Sequence, residues 1–458
     1  MPSEHAHAAE QELFLDAAAR GAQYLRQIRK RSVAPSAEAI TRLSGLAEPL
    51  GPKGMDPSRL LATLDELGSP ATIANSGGRY FGFVSGGALP AARAANVLAI
   101  AWDQNAALRA MSPVAAALED VAGAWMLELL GLPSSASFAF VSGATMASFT
   151  GLAAARHALL MRAGWDVEGQ GLFGAPPLQI VVSAEVHVSV LRALALLGLG
   201  RERVVHVPTD DHGRMREMDL PPLDSRTIVC VQAGNVNSGA FDPFTTVCDA
   251  AREVGAWVHI DGAFGLWAAA SPAHASLVRG MADADSWATD GHKWLNVPYD
   301  CGLAFVRDAE SHQRAMQLQP AAYLSGDALR EPMYWTPEAS RRARGVEVWA
   351  ALRSLGREGL AELIARNCRE ARRFAEGLRR AGFEILNEVS LNQVLVSFGS
   401  DDRTRHVIDA VQREGTAWCG GTVWKGRVAM RISVSSWATT DDDVDRSIEA
   451  MVAIALRA

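Results

Sequence analysis

Lysine is scarce in this chain. Of 44 Lys and Arg residues only four are lysines, and Lys30, Lys53 and Lys425 sit in basic or glycine-containing segments that read as solvated. Lys293 differs. It lies in Asp290-Gly291-His292-Lys293-Trp294-Leu295, between a Gly-His pair and an apolar pair, where partial desolvation of an ammonium favours the neutral amine. Such a lysine can form a Schiff base, although a single lysine snorkelling from a strand end would have the same local sequence.

Three other stretches bring chemistry-bearing groups to the ends of apolar runs. Ser142-Gly143-Ala144-Thr145 falls between a strand and a helix, so backbone N–H groups, the helix dipole and the Thr145 hydroxyl suit a phosphate, as the small residues suit close packing. The run Ile180 to Ser183 passes into Ala184-Glu185-Val186-His187, which puts an imidazole just beyond a buried strand. Ala256 to Ile260 runs into Asp261-Gly262-Ala263, a carboxylate at a strand mouth. If buried, that carboxylate needs a cationic or hydrogen-bonding partner, and a protonated pyridine nitrogen would serve. A phosphate cradle, a flat ring to stack on, a carboxylate and a desolvated lysine match pyridoxal 5'-phosphate group by group.

The elements that must position these groups follow an α/β rhythm. Strands are expected at 138–141, 180–183, 204–207, 227–232, 256–260, 286–289 and 302–306, separated mostly by helical patterns such as 144–163, which implies a mainly parallel sheet with ligands beyond its carboxyl ends. Before it, helices are expected at 11–28 and 58–67, the second stopped by Gly68-Ser69-Pro70, then long apolar helices from Ala91 to about Gly131. After it come helices at 342–356 and 358–381, a strand region from Glu384 to Phe398, a helix near 403–414, a strand from Val428 to Ser435 and a last helix at 441–457. The expected plan is an N-terminal helical segment (1–75) too thin for its own core, a large cofactor-binding α/β domain (76–340) and a small α+β domain (341–458).

At 458 residues with 49% hydrophobic and 21% charged composition, the chain is of ordinary globular enzyme type. A formal charge of -7 disfavours a nucleic-acid surface, and the basic cluster Arg26, Arg29, Lys30 and Arg31 reads as a solvated helix end. Five scattered cysteines, no apolar signal core and no run long enough to span a bilayer point to a cytoplasmic protein with reduced thiols and no membrane partner. There is no metal-ligand spacing such as HExxH, and no GxSxG for a serine hydrolase.

The stretches Val141 to Thr145, Ala184 to His187, His259 to Ala263 and His292-Lys293-Trp294 occur in the order found in the group II pyridoxal-phosphate-dependent decarboxylases, which include aromatic-amino-acid and glutamate decarboxylases, and the chain resembles that family over most of its length. The resemblance implies the PLP-dependent transferase fold (fold type I) with a seven-stranded sheet, and a homodimer with the active site at the interface. It also implies decarboxylation of an L-amino acid through an internal aldimine on Lys293. By the same resemblance Asp261 pairs with the pyridinium nitrogen, Ala263 and His187 sandwich the ring, and Gly143, Ala144, Thr145 and His292 lie near the phosphate. Asn235 stands where the family often has Thr, and Arg431 matches its late arginine, a candidate anchor for the substrate carboxylate. Phe83 and Val84 belong to the entrance loop as substrate-binding candidates.

The chain departs from the aromatic decarboxylases in places that bear on substrate. The connection from Tyr323-Leu324 to Trp335 is shorter than the family's mobile loop, and Tyr334, at its far end, is left as the candidate proton donor, with His187 as the alternative. Asn105 and Ala107 replace bulkier side chains, for which Trp418 and Trp424 would compensate. An aldolase, aldehyde synthase or aminotransferase on the same cofactor is the rival enzyme reading; a cofactor-free binding protein is the rival from another class.

Overall fold

The computed structural model describes residues 4–458 apart from Glu48 and 318–328. Its main sheet has seven strands, β1 (Ser137–Val141), β2 (Gln179–Ser183), β3 (Val205–Val207), β4 (Thr227–Gln232), β5 (Trp257–Asp261), β6 (Ser286–Asp290) and β7 (Gly302–Val306), in the order β1-β7-β6-β5-β4-β2-β3. The pairs from β3 to β6 are parallel, whereas β7 runs antiparallel to both its neighbours. The mainly parallel α/β fold expected from the apolar runs is present. Its strands are apolar throughout because both faces are covered: along β4, Ile228 and Cys230 join one core while Val229 and Val231 join the other. Helix Ala144–Arg162 lies against β5, β6 and β7 and is small-residue-rich where it does so. A Cβ on Gly151 would come within 3.0 Å of His259 Nδ1, so glycine sets the closeness of that packing.

A second sheet, β8 (Glu384–Ile385), β9 (Gln393–Ser397), β10 (Gly420–Trp424) and β11 (Arg427–Ser433), is fully antiparallel in the order β10-β11-β9-β8 and has its own core around Phe374, Phe398, Val394 and Met430. Strand β10 was not expected: two glycines and alternate exposure hide it from an apolar-run search. The two helices expected at 342–356 and 358–381 form one element, Gly345–Arg380, interrupted where Gly356 adopts φ 62°, ψ -175°. The helix expected to stop at Gly68-Ser69-Pro70 instead runs Pro57–Ala71, with Pro70 in its last turn. The first helix spans Glu4–Gln27. Nor is the basic cluster at its end merely solvated. Arg29 reaches Asp443 Oδ2 at 3.2 Å, and Arg31 donates to the carbonyls of Ser69, Pro70 and Thr72.

One buried residue ties the segment after β6 to the rest of the molecule. Asn296, with φ 57°, donates from Nδ2 to the carbonyls of Trp294 (2.8 Å) and Ser435 (3.0 Å), and its Oδ1 accepts the Trp437 N–H (2.8 Å). Its own carbonyl accepts the Leu89 N–H at 2.7 Å. Asn296→Ala leaves buried polar groups on the far side of β11 without partners. It should therefore lower unfolding free energy by about 2 kcal/mol or more, read as a shift in urea midpoint at constant slope; an unchanged midpoint would show that water replaces the amide at no cost.

Candidate active site

The carboxyl ends of β5 and β6 and the start of helix Ala144–Arg162 meet at one place, and four of the expected groups converge there. Lys293 sits three residues past the end of β6 in the turn that leads to β7. Its Nζ lies 2.9 Å from Asp290 Oδ2, so the lysine is not simply desolvated among apolar neighbours as the sequence suggested but has a buried carboxylate beside it. Asp290 was missed, although its i, i+3 spacing to Lys293 was in plain view. Its Oδ1 accepts the Ala144 N–H at 2.6 Å and lies 3.5 Å from His292 Nε2.

His292 is oriented by its other nitrogen, which accepts the Cys301 N–H at 3.0 Å, and its ring stacks on Tyr299 at 4.5 Å between centroids. Burial pushes its pKa down. Gly143 lies against both: a Cβ there would be in ordinary contact, 3.4 Å, with Asp290 Oδ1 and His292 Cε1. Opposite it, a Cβ on Gly302 would fall 2.4 Å from Gly143, so β7 passes the turn only as glycine. Thr145 is half-buried in the first turn of the helix.

On the β5 side, Asp261 is buried and accepts the Ala263 N–H at 3.2 Å and the Ser189 hydroxyl at 3.5 Å. Burial raises its pKa, opposed by the neighbouring His187 and Lys293 and by the Ala263 N–H. His187 caps helix Val188–Leu196: its Nδ1 accepts the Ser189 N–H at 3.3 Å and lies 2.7 Å from Ser189 Oγ. Burial depresses the imidazole's pKa, so the ring is neutral, and with Nδ1 accepting, its proton is on Nε2. Ser189, two residues beyond the predicted histidine, was also missed; its single hydroxyl proton faces two acceptors.

The remaining candidates are less uniform. Arg431, on β11, is half-buried, its pKa lowered by desolvation, and its only side-chain hydrogen bond among the described residues goes to Asn237 Oδ1 at 3.5 Å. Asn235 spends Oδ1 on the N–H groups of Asn237 and Ser238, while its buried Nδ2 has no partner. Phe83 is 65% exposed and packs on Trp418, which stacks on Tyr80. Val84, expected beside it at the entrance, turns instead into the main core at 1% exposure. Both have positive φ, 53° and 59°, a strained pair held by the Phe81 N–H to Trp418 O bond and by Ser85 Oγ against Tyr299 Oη. Asn105 Oδ1 accepts the N–H groups of Ala107 and Arg341. Trp424 is buried in the small sheet's packing and so does not join Trp418. Tyr334 is buried in the one-turn helix Pro332–Trp335, fixed by the Met333 N–H to Ala107 O bond; the start of its connection, including Tyr323-Leu324, lies outside the described residues.

These donors fit pyridoxal phosphate. A buried carboxylate whose hydrogen bonds are long suits a pyridinium N–H, a half-buried imidazole lies beside it, and a lysine stands against the second carboxylate, Asp290, which bonds the helix start.

The comparisons point the same way. A family model described as pyridoxal-dependent decarboxylase conserved domain matches residues 78–399. The chain is 28% identical over 443 residues to L-2,4-diaminobutyrate decarboxylase of Rhizobium meliloti, covering 91% of this chain and 86% of that protein. It is 27% identical over 341 residues to aromatic-L-amino-acid decarboxylase of Bacillus atrophaeus, covering 69% of each. Among solved structures, Oryza sativa TDC with PLP and tryptamine superposes with a TM-score of 0.89 at 22% identity over 98% of this chain and 97% of that one. Mouse CSAD gives 0.89 at 21% identity over 98% of each.

Next to Lys293, the Trp294 indole N–H donates to Asn367 Oδ1 (3.0 Å), whose Nδ2 donates to Glu370 Oε2 (2.8 Å). Burial pushes the Glu370 carboxyl up from 4.5 to about 7. Because the folded value is the higher, this group favours the fold fully below pH 4.5, and that contribution is lost as pH rises through 7. Glu370→Gln should flatten the stability profile across that window by on the order of 2–3 kcal/mol in urea unfolding. Parallel profiles for the two proteins would mean that the carboxyl does not titrate there.

Proposed function

The chain belongs to the pyridoxal-dependent decarboxylase family and is a pyridoxal-phosphate-dependent amino-acid decarboxylase, and from that premise we propose the roles of its own side chains. The observation that carries the proposal is the convergence of one lysine, two buried carboxylates and a neutral imidazole at the ends of β5 and β6. When bound, pyridoxal phosphate supplies an electron sink for the pair released as a bond to the substrate Cα breaks.

Lys293 Nζ is the covalent attachment point. Asp261 would hold the pyridine nitrogen, and a proton on that nitrogen would compensate the carboxylate's burial and keep the sink effective. His187 and Ala263 would flank the ring, and Gly143, Ala144, Thr145 and His292 would hold the phosphate. Asn235, with an unpartnered Nδ2, is retained as a further polar neighbour. Arg431 anchors the substrate carboxylate. Its guanidinium has no carboxylate partner among the described residues, and its burial makes an incoming anion worth more. Holding that carboxylate orients the bond to be broken, which is what separates decarboxylation from transamination. Phe83, exposed on Trp418, lines the approach; Val84 supports the loop from within the core.

The domain plan of 1–75, 76–340 and 341–458 belongs to the same proposal, supported by two sheets with separate cores joined by the interrupted helix Gly345–Arg380. So does a homodimer. Phe14 and Leu15 are 42% and 58% exposed on the first helix and Ile100 is 65% exposed on helix Pro90–Trp102, an apolar surface suited to a second copy. Five buried free thiols fit a reducing, cytoplasmic setting.

Carbon dioxide release measured across a panel of L-amino acids tests the function and assigns the side chain. Lys293→Ala should abolish release and the cofactor link that borohydride makes permanent; a link that survives in this variant would move the attachment elsewhere. Tyr334→Phe should lower amine formation by about 10²–10⁴-fold and raise the share of aldehyde with cofactor binding intact. Unchanged amine yield and rate would remove Tyr334 and bring forward His187 Nε2–H.

A further inference from the structure

Asp290 is the carboxylate that the assignment of roles leaves without one. Its backbone is fixed on both sides, with its N–H donated to Ala263 O at 3.0 Å and its carbonyl accepting the Trp267 indole N–H at 3.1 Å, so β6 aims the side chain. That side chain is 4% exposed. One oxygen takes the Ala144 N–H at the start of helix Ala144–Arg162, the other takes the Lys293 ammonium, and His292 closes the third side. Gly143 lies directly against it. The carboxylate therefore stands where an anion drawn to this helix start would stand.

Resting on the reading that the cofactor phosphate is received at Gly143 to Thr145, we propose that Asp290 is a placeholder for that phosphate. Before loading, its carboxylate satisfies the Ala144 N–H and balances Lys293. During loading, it yields the N–H to the phosphate and stays beside it as a like charge. The N–H that bonds Asp290 at 2.6 Å cannot serve a second acceptor equally well, and two anions brought together in a buried site oppose each other. Asp290 thus sets how tightly the phosphate end of the cofactor is held, making loading and release easier than a neutral residue would. An amide of the same shape keeps an acceptor for Ala144 and removes the charge.

The test compares pyridoxal phosphate with pyridoxal, which forms the same link to Lys293 but has no phosphate, in spectroscopic titrations of the apo-protein. In Asp290→Asn the ratio of pyridoxal phosphate affinity to pyridoxal affinity should rise about tenfold or more over wild type, since loss of the Lys293 ion pair acts on both ligands while the like charge acts on the phosphate alone. Inorganic phosphate should compete correspondingly better in the variant. Equal or weaker binding of pyridoxal phosphate relative to pyridoxal in Asp290→Asn overturns the proposal. Asp290→Ser, uncharged and still able to accept from Ala144, must shift the ratio in the same direction and supplies the reading should the amide variant not fold. Thr145→Val separates this idea from the one beneath it. That variant should weaken pyridoxal phosphate while sparing pyridoxal, and if it changes neither, the phosphate is bound elsewhere whatever Asp290 does.

Discussion

Two carboxylates buried at the ends of adjacent strands form the constraint on which the site depends. Asp261 closes β5 and Asp290 closes β6, each almost without solvent, and a buried carboxylate is tolerated only with donors or a cation beside it. The chain meets the two needs differently. Asp290 is given a backbone N–H and the single nearby lysine, a complete set. Asp261 is given one N–H at 3.2 Å and a shared serine hydroxyl at 3.5 Å, an incomplete one. The incomplete set is what suits the β5 end to the cationic ring nitrogen proposed to bind there.

Strand topology explains why these groups meet. Parallel strands from β3 to β6 bring their carboxyl ends to one edge, and β7, antiparallel beside β6, returns the chain directly after Lys293. That return is tight, and Gly302 against Gly143 and Asn296 between Ser435 and Trp437 are its conditions. The Asn296 contacts bind the lysine turn to the segment that follows β11, and β11 carries Arg431. The proposed carboxylate anchor and the attachment lysine thus share a short, hydrogen-bonded path, which suits a reaction whose outcome rests on the angle of one bond.

The strands of the main sheet were legible in sequence because burial on both faces writes them as uninterrupted apolar runs; β4 and β7 were located to the residue. Strand β10 was not, since Gly420-Gly421 and alternating exposure resemble a loop. Pro70 was taken for a helix stop, but a proline in the last turn forfeits little once the chain is about to leave the helix. Among the residues that the fold brings together here, those embedded in short recognisable stretches were named from sequence, while Ser189 and Asp290 were passed over because neither type is distinctive by itself and the partners that reveal their burial lie far off: Asp261 is 72 residues from Ser189, and Ala144 is 146 from Asp290. Val84 was misplaced for the converse reason. Its neighbour Phe83 does face outward, but the backbone turn at positive φ sends the next side chain into the core.

Histidine chemistry in the site is decided by the same scarcity of partners. His187 and His292 each accept a backbone N–H at Nδ1, which leaves Nε2 as the proton-bearing nitrogen of a neutral ring. His292 Nε2 lies 3.5 Å from Asp290 Oδ1, on the lysine side of the site. His187 Nε2 has no hydrogen-bond acceptor among the described residues, and burial, helped by Lys293 and Arg431 and opposed by Asp261 and Asp290, lowers the pKa of its ring. A buried imidazole with a lowered pKa and a free N–H is poor at taking up a proton and suited to donating a hydrogen bond to an anion. That property favours His187 as a partner for negative charge developing in the substrate over a role as general base.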